Sequence, residues 1–420
     1  MNMSTYFKTQ KLKFSFAVKN GATPKSEIAE YWGGNILWIT PADFSTNQCY
    51  IIEARRTITE KGLDSCGTNL VSAGSVIVSN RAPIGLIGIA AQDLCTSQGC
   101  KSLVKKKYVV NEKFVYYYLA TQEKALNTLG RGTTFFELST YDLANFYIPM
   151  PPDDVQTIIV AYLDHRTTEI DKLLTNLQSQ SDLLDRYKWE LITEAVTHGI
   201  DKTVMCRNSG VDWIGKIPKH WKLTKTKWMF EIVKRLYDKE DRDVLSITQR
   251  GLKVKDIESN DGQLAESYIG YQVVNINDFA MNSMDLLTGW IDCSPFEGVT
   301  SPDYRVFRFH QSKPQCYSYY KYLFQMCYTN RIFYRLGQGV SNLGRWRLQA
   351  DQFLNMKLPQ PPIEEQEKIA AYLDKKTAQV DNLITDINHQ IVKLRQYRQI
   401  VIHDAVTGKI KVKETQDNGN

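Results

Sequence analysis

The chain has 420 residues, 43% of them hydrophobic and 23% charged, with a net charge of +6, which suits a soluble globular protein of two ordinary domains. No N-terminal apolar run suits a signal peptide and no stretch approaches the ~18 uncharged apolar residues of a membrane span, so a cytoplasmic protein without a membrane partner is expected. Eight cysteines lie scattered, with Cys95 and Cys100 closest and no second pair at metal-ligand spacing; free thiols are expected, not disulfides or a zinc site.

Residues 1–150 hold 16 Lys/Arg against 11 Asp/Glu. SVIVSN from Ser75 and LIGIAA from Leu86, set among Gly74, Gly85 and Gly88, predict strands. NEKFVYYYLAT from Asn111 predicts a helix. The phrase LGRGTTFFELS begins at Leu129. Its glycines let backbone approach a ligand, and Arg and Thr bond phosphates or base edges; a Gly-rich turn without a ligand fits the same residues. Lys105, Lys106 and Lys107 read as a solvated or phosphate-facing run.

Residues 151–200 hold 4 Lys/Arg against 9 Asp/Glu. The segment opens PPDDVQTIIVAYLDHRTTEIDKLL, and PPIEEQEKIAAYLDKKTAQVDNLI follows 210 residues later, from Pro361. Aligned at that offset from Pro149/Pro359 to Ile200/Ile410, 21 of 52 positions are identical without a gap. Two homologous halves are the economical explanation. Each copy predicts a long helix: prolines and acids at the start, no Pro or Gly until the end, then Gly199 or Gly408. One heptad position runs Leu163, Ile170, Leu177, Leu184, Leu191, matched by Leu373, Val380, Ile387, Leu394, Val401. The partner position is read as Ile159, Arg166, Leu173, Gln180, Tyr187, matched by Ile369, Lys376, Leu383, Gln390, Tyr397. Such 3-4 spacing predicts a coiled-coil seam, with Gln180 and Gln390 as polar seam residues that fix register. The two helices are expected to fold back antiparallel and hold the long segments apart, about a pseudo-twofold axis.

Residues 201–360 hold 23 Lys/Arg against 17 Asp/Glu, and 361–420 hold 9 of each. Positive charge therefore lies in the two long segments, which suits a polyanion partner or simple solubility. DVLSIT from Asp243 and YQVVNI from Tyr271 predict strands, and CYSYYKYLFQMC from Cys316 a helix whose Tyr317, Tyr320 and Phe324 share a core face. LGQGVSNLGRWRLQ from Leu336 echoes the earlier Gly-rich phrase; both precede a Pro-Pro helix start. Trp346 lies between Arg345 and Arg347, a mixture used by nucleic-acid surfaces and by cores with snorkelling cations. No GxxxxGK[ST] or HExxH occurs, and PMPP at 149–152 lacks the residues of an adenine methyltransferase motif. His198 and His403 stand at helix ends, where dipole or capping roles suit them.

The ordered phrases GATPKSEIAEYWGGNILWITPADF (21–44), SNRAPIG (79–85), TSQGCKSL (96–103), GRGTTFFELS (130–139), WIGKIPKHWKL (213–223), NSMDLLTGWI (282–291), GVTSPDYRVFR (298–308) and the helix start at 361–366 resemble the DNA specificity subunits of type I restriction-modification enzymes. One departure is Val155, where an acid usually precedes Gln; it should loosen a cap or partner contact. The resemblance implies an α+β fold of two mixed α/β target-recognition domains (1–150 and 201–360), a central spacer helix (151–200), a C-terminal spacer helix (361–410) and a tail (411–420). It implies double-stranded DNA as ligand, each domain reading half of a bipartite site, with modification and restriction subunits as partners. The chain itself is then no enzyme and holds no cofactor; S-adenosylmethionine, ATP and Mg²⁺ belong to the partners. Candidate DNA-binding residues are Arg81, Lys101, Arg131 and Thr133 in the first domain and Asn282, Arg305, Arg345 and Arg347 in the second, arginine suiting bidentate contact to guanine or phosphate. A specificity chain for a fused methyltransferase-nuclease and a DNA-independent coiled-coil scaffold are the alternatives.

Overall fold

The structure, a computed structural model, describes residues 7–45, 48–106, 110–131, 136–239, 241–249, 251–256, 265, 267–310, 315–339 and 346–412. The chain divides into two compact units, Met1–Gln178 with Asn388–Asn420, and Ser179–Ile387.

In the first unit, strands β1 (Phe16–Asn20), β2 (Tyr50–Ile51), β3 (Val76–Ser79), β4 (Ile87–Ala90) and β5 (Cys100–Lys105) form a sheet in the order β1-β5-β3-β4-β2. The central β3 is buried along its whole length, which explains why its sequence is a continuous β-branched run and not an alternation. Helix α1 (Glu112–Ala120) starts where the Asn111 side chain accepts the backbone N–H groups of Lys113 and Phe114. A short helix α2 (Thr140–Ala144) is capped by Ser139. Phe114, Val115 and Leu119 of α1 join Val76, Val78 and Leu103 of the sheet in one core.

The first long helix, α3 (Asp153–His198), spans 46 residues. The second unit has strands β6 (Phe230–Val233), β7 (Phe279–Met281), β8 (Ile291–Cys293) and β9 (Arg305–Phe309) in the order β6-β9-β7-β8, the order of β1-β5-β3-β4 in the first. Helix α4 (Tyr317–Thr329) stands in the place of α1, and α5 (Ala350–Asn355) in that of α2. Phe230 forms an aromatic core, stacked on Phe309 at 4.3 Å and edge-on to Phe279, Phe307 and Phe324. Tyr320 and Phe324 are buried in it, as predicted, but Tyr317 is 37% exposed because it begins α4 at the rim of the core. All eight cysteines are free thiols.

The second long helix is α6 (Ile363–Val406). Both long helices end on a glycine in the left-handed region, Gly199 (φ 80°) and Gly408 (φ 76°), a conformation that lets the chain leave a helix without a Cβ penalty. At the start of α3 the buried Gln156 accepts from the Asn111 N–H (3.0 Å) and donates to the Pro151 carbonyl (2.9 Å). Gln366 repeats both contacts in the second unit, with Cys316 N–H (3.1 Å) and the Pro361 carbonyl (2.9 Å). About two turns further, Tyr117 donates to Asp164 and Tyr322 to Asp374, each at 2.7 Å. These duplicated contacts explain why the repeated helix start carries the same residues twice. The departure at Val155 is accounted for within the chain: its counterpart Glu365 accepts from Trp221 Nε1 (2.8 Å) and lies 2.6 Å from His220 Nε2, while Val155 packs on the first core instead.

Burial along the two helices differs between the two heptad positions read from the sequence. Leu163, Ile170, Leu177, Leu184 and Leu191, with Leu373, Val380, Ile387, Leu394 and Val401, are buried or half-buried. Their partners on the buried stripe are Thr167, Leu174, Ser181 and Lys188, and Thr377, Ile384, Ile391 and Arg398. Leu173, Tyr187, Leu383, Tyr397, Gln180 and Gln390 are exposed, so neither glutamine sets a seam register. Hydrophobicity misled here because the true flank is partly polar. Packing accepts that flank because its polar members are satisfied: Thr167 bonds the Leu163 carbonyl at 2.6 Å, and the two cations find carboxylates.

Those ion pairs fix direction. In the first unit Arg398 bonds Asp171 through Nε (2.9 Å) and Nη2 (3.1 Å). In the second, Lys188 lies 2.7 Å from Asp381. Lys188 and Arg398, like Asp171 and Asp381, are repeat counterparts. Each unit therefore pairs α3 with α6 antiparallel by the same contact, with the helices' roles exchanged. Such partly exposed pairs contribute about 1 kcal/mol or less; the apolar stripe supplies the stability and the pairs select the register.

Candidate functional site

The end of β3 in the first unit gathers most of the residues singled out there. Its register pairs Val78 with Lys101 of β5, which places the lysine within the sheet, and only 7% of its side chain is exposed. Beyond Ser79 come Asn80, Arg81 and a cis Ala82–Pro83 bond. The Asn80 carbonyl accepts the Leu138 N–H at 2.9 Å, and Arg81 and Glu137 form an antiparallel bridge. Glu137 is also paired with Arg131 by two backbone hydrogen bonds of 3.0 Å. The Gly-rich phrase is thus a loop closed at its base by Arg131 and Glu137. Thr133 belongs to this phrase by sequence but lies outside the described residues, as does Lys107 earlier in the chain.

Glu137 is the centre of the cluster. Its Oε2 accepts from Arg81 Nε (3.1 Å), and its Oε1 accepts from Asn80 Nδ2 (2.8 Å) with Lys101 Nζ 3.6 Å away. Lys101 donates to Asn20 Oδ1 (3.0 Å), which also accepts from Thr140 Oγ1 (2.7 Å). Burial pushes the Lys101 ammonium below its ordinary range, and the Glu137 charge opposes that shift. Arg131 is 79% exposed and reaches Asp142 at 3.3 Å. Lys105 and Lys106 are tied down, to Glu112 and to the Lys13 carbonyl (2.6 Å).

The second unit repeats the frame with other residues. Met281 of β7 pairs with Arg305 of β9, which puts Arg305 where the first unit has Lys101. The Ser283 carbonyl accepts the Leu348 N–H at 3.0 Å, and Gln338 and Arg347 close the loop by backbone bonds of 3.0 and 3.1 Å. Arg345 lies in that loop, outside the described residues. Arg305 Nη2 donates to the Leu348 carbonyl (2.8 Å) and its guanidinium lies 5.5 Å from the Phe353 ring centroid. Its Nη1 is buried and has no partner among the described residues. Burial, with Arg347 nearby, depresses its proton affinity. Arg347 is exposed. Asn282 is half-buried and its Oδ1 accepts the N–H groups of Met284 and Asp285, both at 3.2 Å, so its oxygen shapes the turn. Trp346 packs across Tyr334 (4.8 Å between centroids), and a Cβ on Gly339 would meet its ring at 2.8 Å. That glycine is required so the loop can pass under the indole.

Each unit therefore closes its Gly-rich phrase by one backbone pair, Arg131 with Glu137 or Gln338 with Arg347, and carries a buried cation on the neighbouring strand, Lys101 or Arg305. The arrangement supplies donors for an anionic or base-edge ligand. Among the described residues no group of three His, Cys, Asp or Glu side chains is placed to hold a metal, and no helix is long and apolar enough to cross a membrane. Sequence reasoning missed Glu137, Asn20 and Asn80. Glu137 stands inside the Gly-rich phrase, but nothing in the sequence signals that it meets Lys101; Asn20 is 81 residues from that lysine.

The family model described as type I restriction modification DNA specificity domain matches residues 7–180 and again 218–393. A stretch of 185 residues is 35% identical to the type I restriction enzyme MjaIX specificity subunit of Methanocaldococcus jannaschii, covering 43% of this chain and 42% of that protein. The MjaVIII specificity subunit of the same organism is 23% identical over 74% of this chain and 73% of its own length. The chain thus spans less than half of the first relative and about three quarters of the second. A chain from a solved type I R-M system superposes with a TM-score of 0.69 at 14% identity, over 96% of this chain and 98% of that one; at that identity the likeness is one of fold.

Proposed function

We propose, from the premise that this chain belongs to the type I restriction modification DNA specificity domain family, that it is the DNA-reading subunit of a type I restriction-modification complex. The observation that carries this reading is the doubled loop-and-cation site, built on the same strand order in both units but with different rim residues. Two such sites suit a bipartite target whose halves differ in sequence. Arg81 and Arg131 in one unit and Arg347 in the other are placed at the rim, where a planar guanidinium suits guanine O6/N7 or a phosphate. Thr133 and Arg345 belong to the same loops by sequence. Lys101 and Arg305 are more buried and add positive potential to the site; Asn282 supports its turn.

The length of the helix pair sets the distance between the two half-sites. The chain carries no catalysis of its own: methyl transfer and cleavage, with S-adenosylmethionine, ATP and Mg²⁺, reside on modification and restriction subunits. The modification subunits dock on the apolar side chains that the long helices leave outside their stripe. Leu173 and Tyr397 are exposed in the first unit, Leu383 and Tyr187 in the second, the same pair with the helices exchanged. Two equivalent patches suit two copies of one partner.

The test is to purify the chain alone and with its modification subunit. The complex should bind double-stranded DNA with an affinity that falls linearly with log salt, about 0.9 per phosphate contact, and prefer one sequence. The chain alone should show no methyltransferase, ATPase or nuclease activity. Methyl transfer by the isolated chain, or salt-independent binding by the complex, refutes the reading.

A further inference from the structure

We infer that Glu137 is a specificity-determining positioning residue of the first unit: it holds Arg81 by its Nε edge so that the two terminal nitrogens face the DNA as a fixed two-donor fork. This rests on the DNA-reading function proposed above. The carboxylate divides its oxygens. Oε2 takes Arg81 Nε at 3.1 Å, while Oε1 is shared between Asn80 Nδ2 at 2.8 Å and Lys101 Nζ at 3.6 Å. Neither Nη1 nor Nη2 of Arg81 has a partner among the described residues, and 40% of the side chain is exposed. Its backbone is clamped too, by the bridge between Arg81 and Glu137. A guanidinium held at Nε, with both Nη groups open, has the geometry for a bidentate contact to the O6 and N7 of guanine. Arg131, by contrast, is 79% exposed and its Nη2 is engaged by Asp142, so it suits a phosphate.

The second unit shows that this arrangement differs between the two halves. Since Val78 corresponds to Met281, and Leu138 to Leu348, the counterpart of Arg81 is Met284 and that of Glu137 is Arg347. Of the two bridged positions, the arginine thus stands on the strand-end side (Arg81) in the first unit and on the loop side (Arg347) in the second. The carboxylate that would hold an arginine is absent where no arginine stands opposite it. What the two units share, the strand order and the buried cation, cannot distinguish their half-sites; what they exchange, the Arg81–Glu137 pair, can.

The experiment selects binding sites from random duplex DNA with the full chain assembled with its modification subunits, and follows thermal unfolding of each variant. Wild type is compared with Glu137→Gln, with Arg81→Lys, and with the double substitution Arg81→Met, Glu137→Arg that copies the second unit. Arg81→Lys leaves Glu137 and the buried Lys101 in place, so its outcome does not depend on tolerance of an unpaired buried charge. Glu137→Gln and Arg81→Lys should lose about tenfold or more of discrimination at the same single base pair of one half-site, leaving the other half-site unchanged. The double variant should prefer a different base there. Variants that select the wild-type sequence, or that lose affinity evenly for all sequences, overturn the inference, because a merely structural role lowers stability without moving one base preference. A wild-type complex with no sequence preference overturns the DNA-reading function itself, and this inference with it.

Discussion

Removing one heptad from each long helix, residues 174–180 of α3 and 384–390 of α6, tests whether these helices measure DNA. The deletions fall between the residues of the two interhelix ion pairs, Asp171 and Lys188 on α3 and Asp381 and Arg398 on α6. The buried stripe resumes in phase after each cut, because a heptad contains one full 3-4 step. Each helix shortens by roughly 10 Å at ~1.5 Å per residue, equivalent to about three base pairs at ~3.4 Å each. The loops and buried cations of both units lie outside the cuts. The preferred spacer should therefore shrink by about two to three base pairs while both half-sites stay the same. Affinity should fall, since three base pairs also turn one half-site by roughly 100° about a duplex of ~10.5 base pairs per turn. Cutting only one helix breaks the pairing and should destabilise the protein. Methylation mapping in cells carrying the partner subunits reads the spacer directly. A folded, active double deletion that keeps the original spacer would refute the ruler.

Three further perturbations follow from the packing. Gln156→Ala and Gln366→Ala each strand a backbone N–H and a carbonyl at a buried helix start, and should each cost about 2–4 kcal/mol in urea unfolding. Ile387→Ala on the stripe should cost about 2–4 kcal/mol, whereas Gln390→Ala, exposed three residues later, should change stability by less than about 0.5 kcal/mol; equal costs would restore the glutamine seam. Burial and then Lys409 hold His403 below its usual 6.5, against Asp404. The unfolded chain then protonates first as pH falls, so stability is lost from about 6.5 down to the folded value, and His403→Gln should flatten the Tm against pH in that window.

The architecture was legible where the chain repeats itself. An offset of 210 residues, proline and acid at each start and glycine at each end announced two long helices, and the heptad leucines announced a seam. The second seam flank was not legible, because Leu173 and Leu174 both suit it and because Lys188 and Arg398 look like surface residues until their carboxylates across the pair are seen. The strands SVIVSN and LIGIAA stood out by β-branched content, and α1 and α4 by their aromatic helical spacing. The candidate site was legible in its arginines and glycines, which bunch in quoted phrases. Its order was not: Lys101 meets Glu137 and Asn20 only because β5 lies between β1 and β3, a pairing that no local pattern encodes.

The proposed function gives this one chain two separate sequence readings for its complex. Long-read mapping of methylated adenines in host DNA, with and without the chain and with Arg81→Lys, tests it most directly. The map should show one motif of two short specified parts separated by a spacer of fixed length, lost when the chain is deleted and relaxed at a single base pair of one part in the variant. A contiguous motif, or a methylation pattern that persists without the chain, contradicts it.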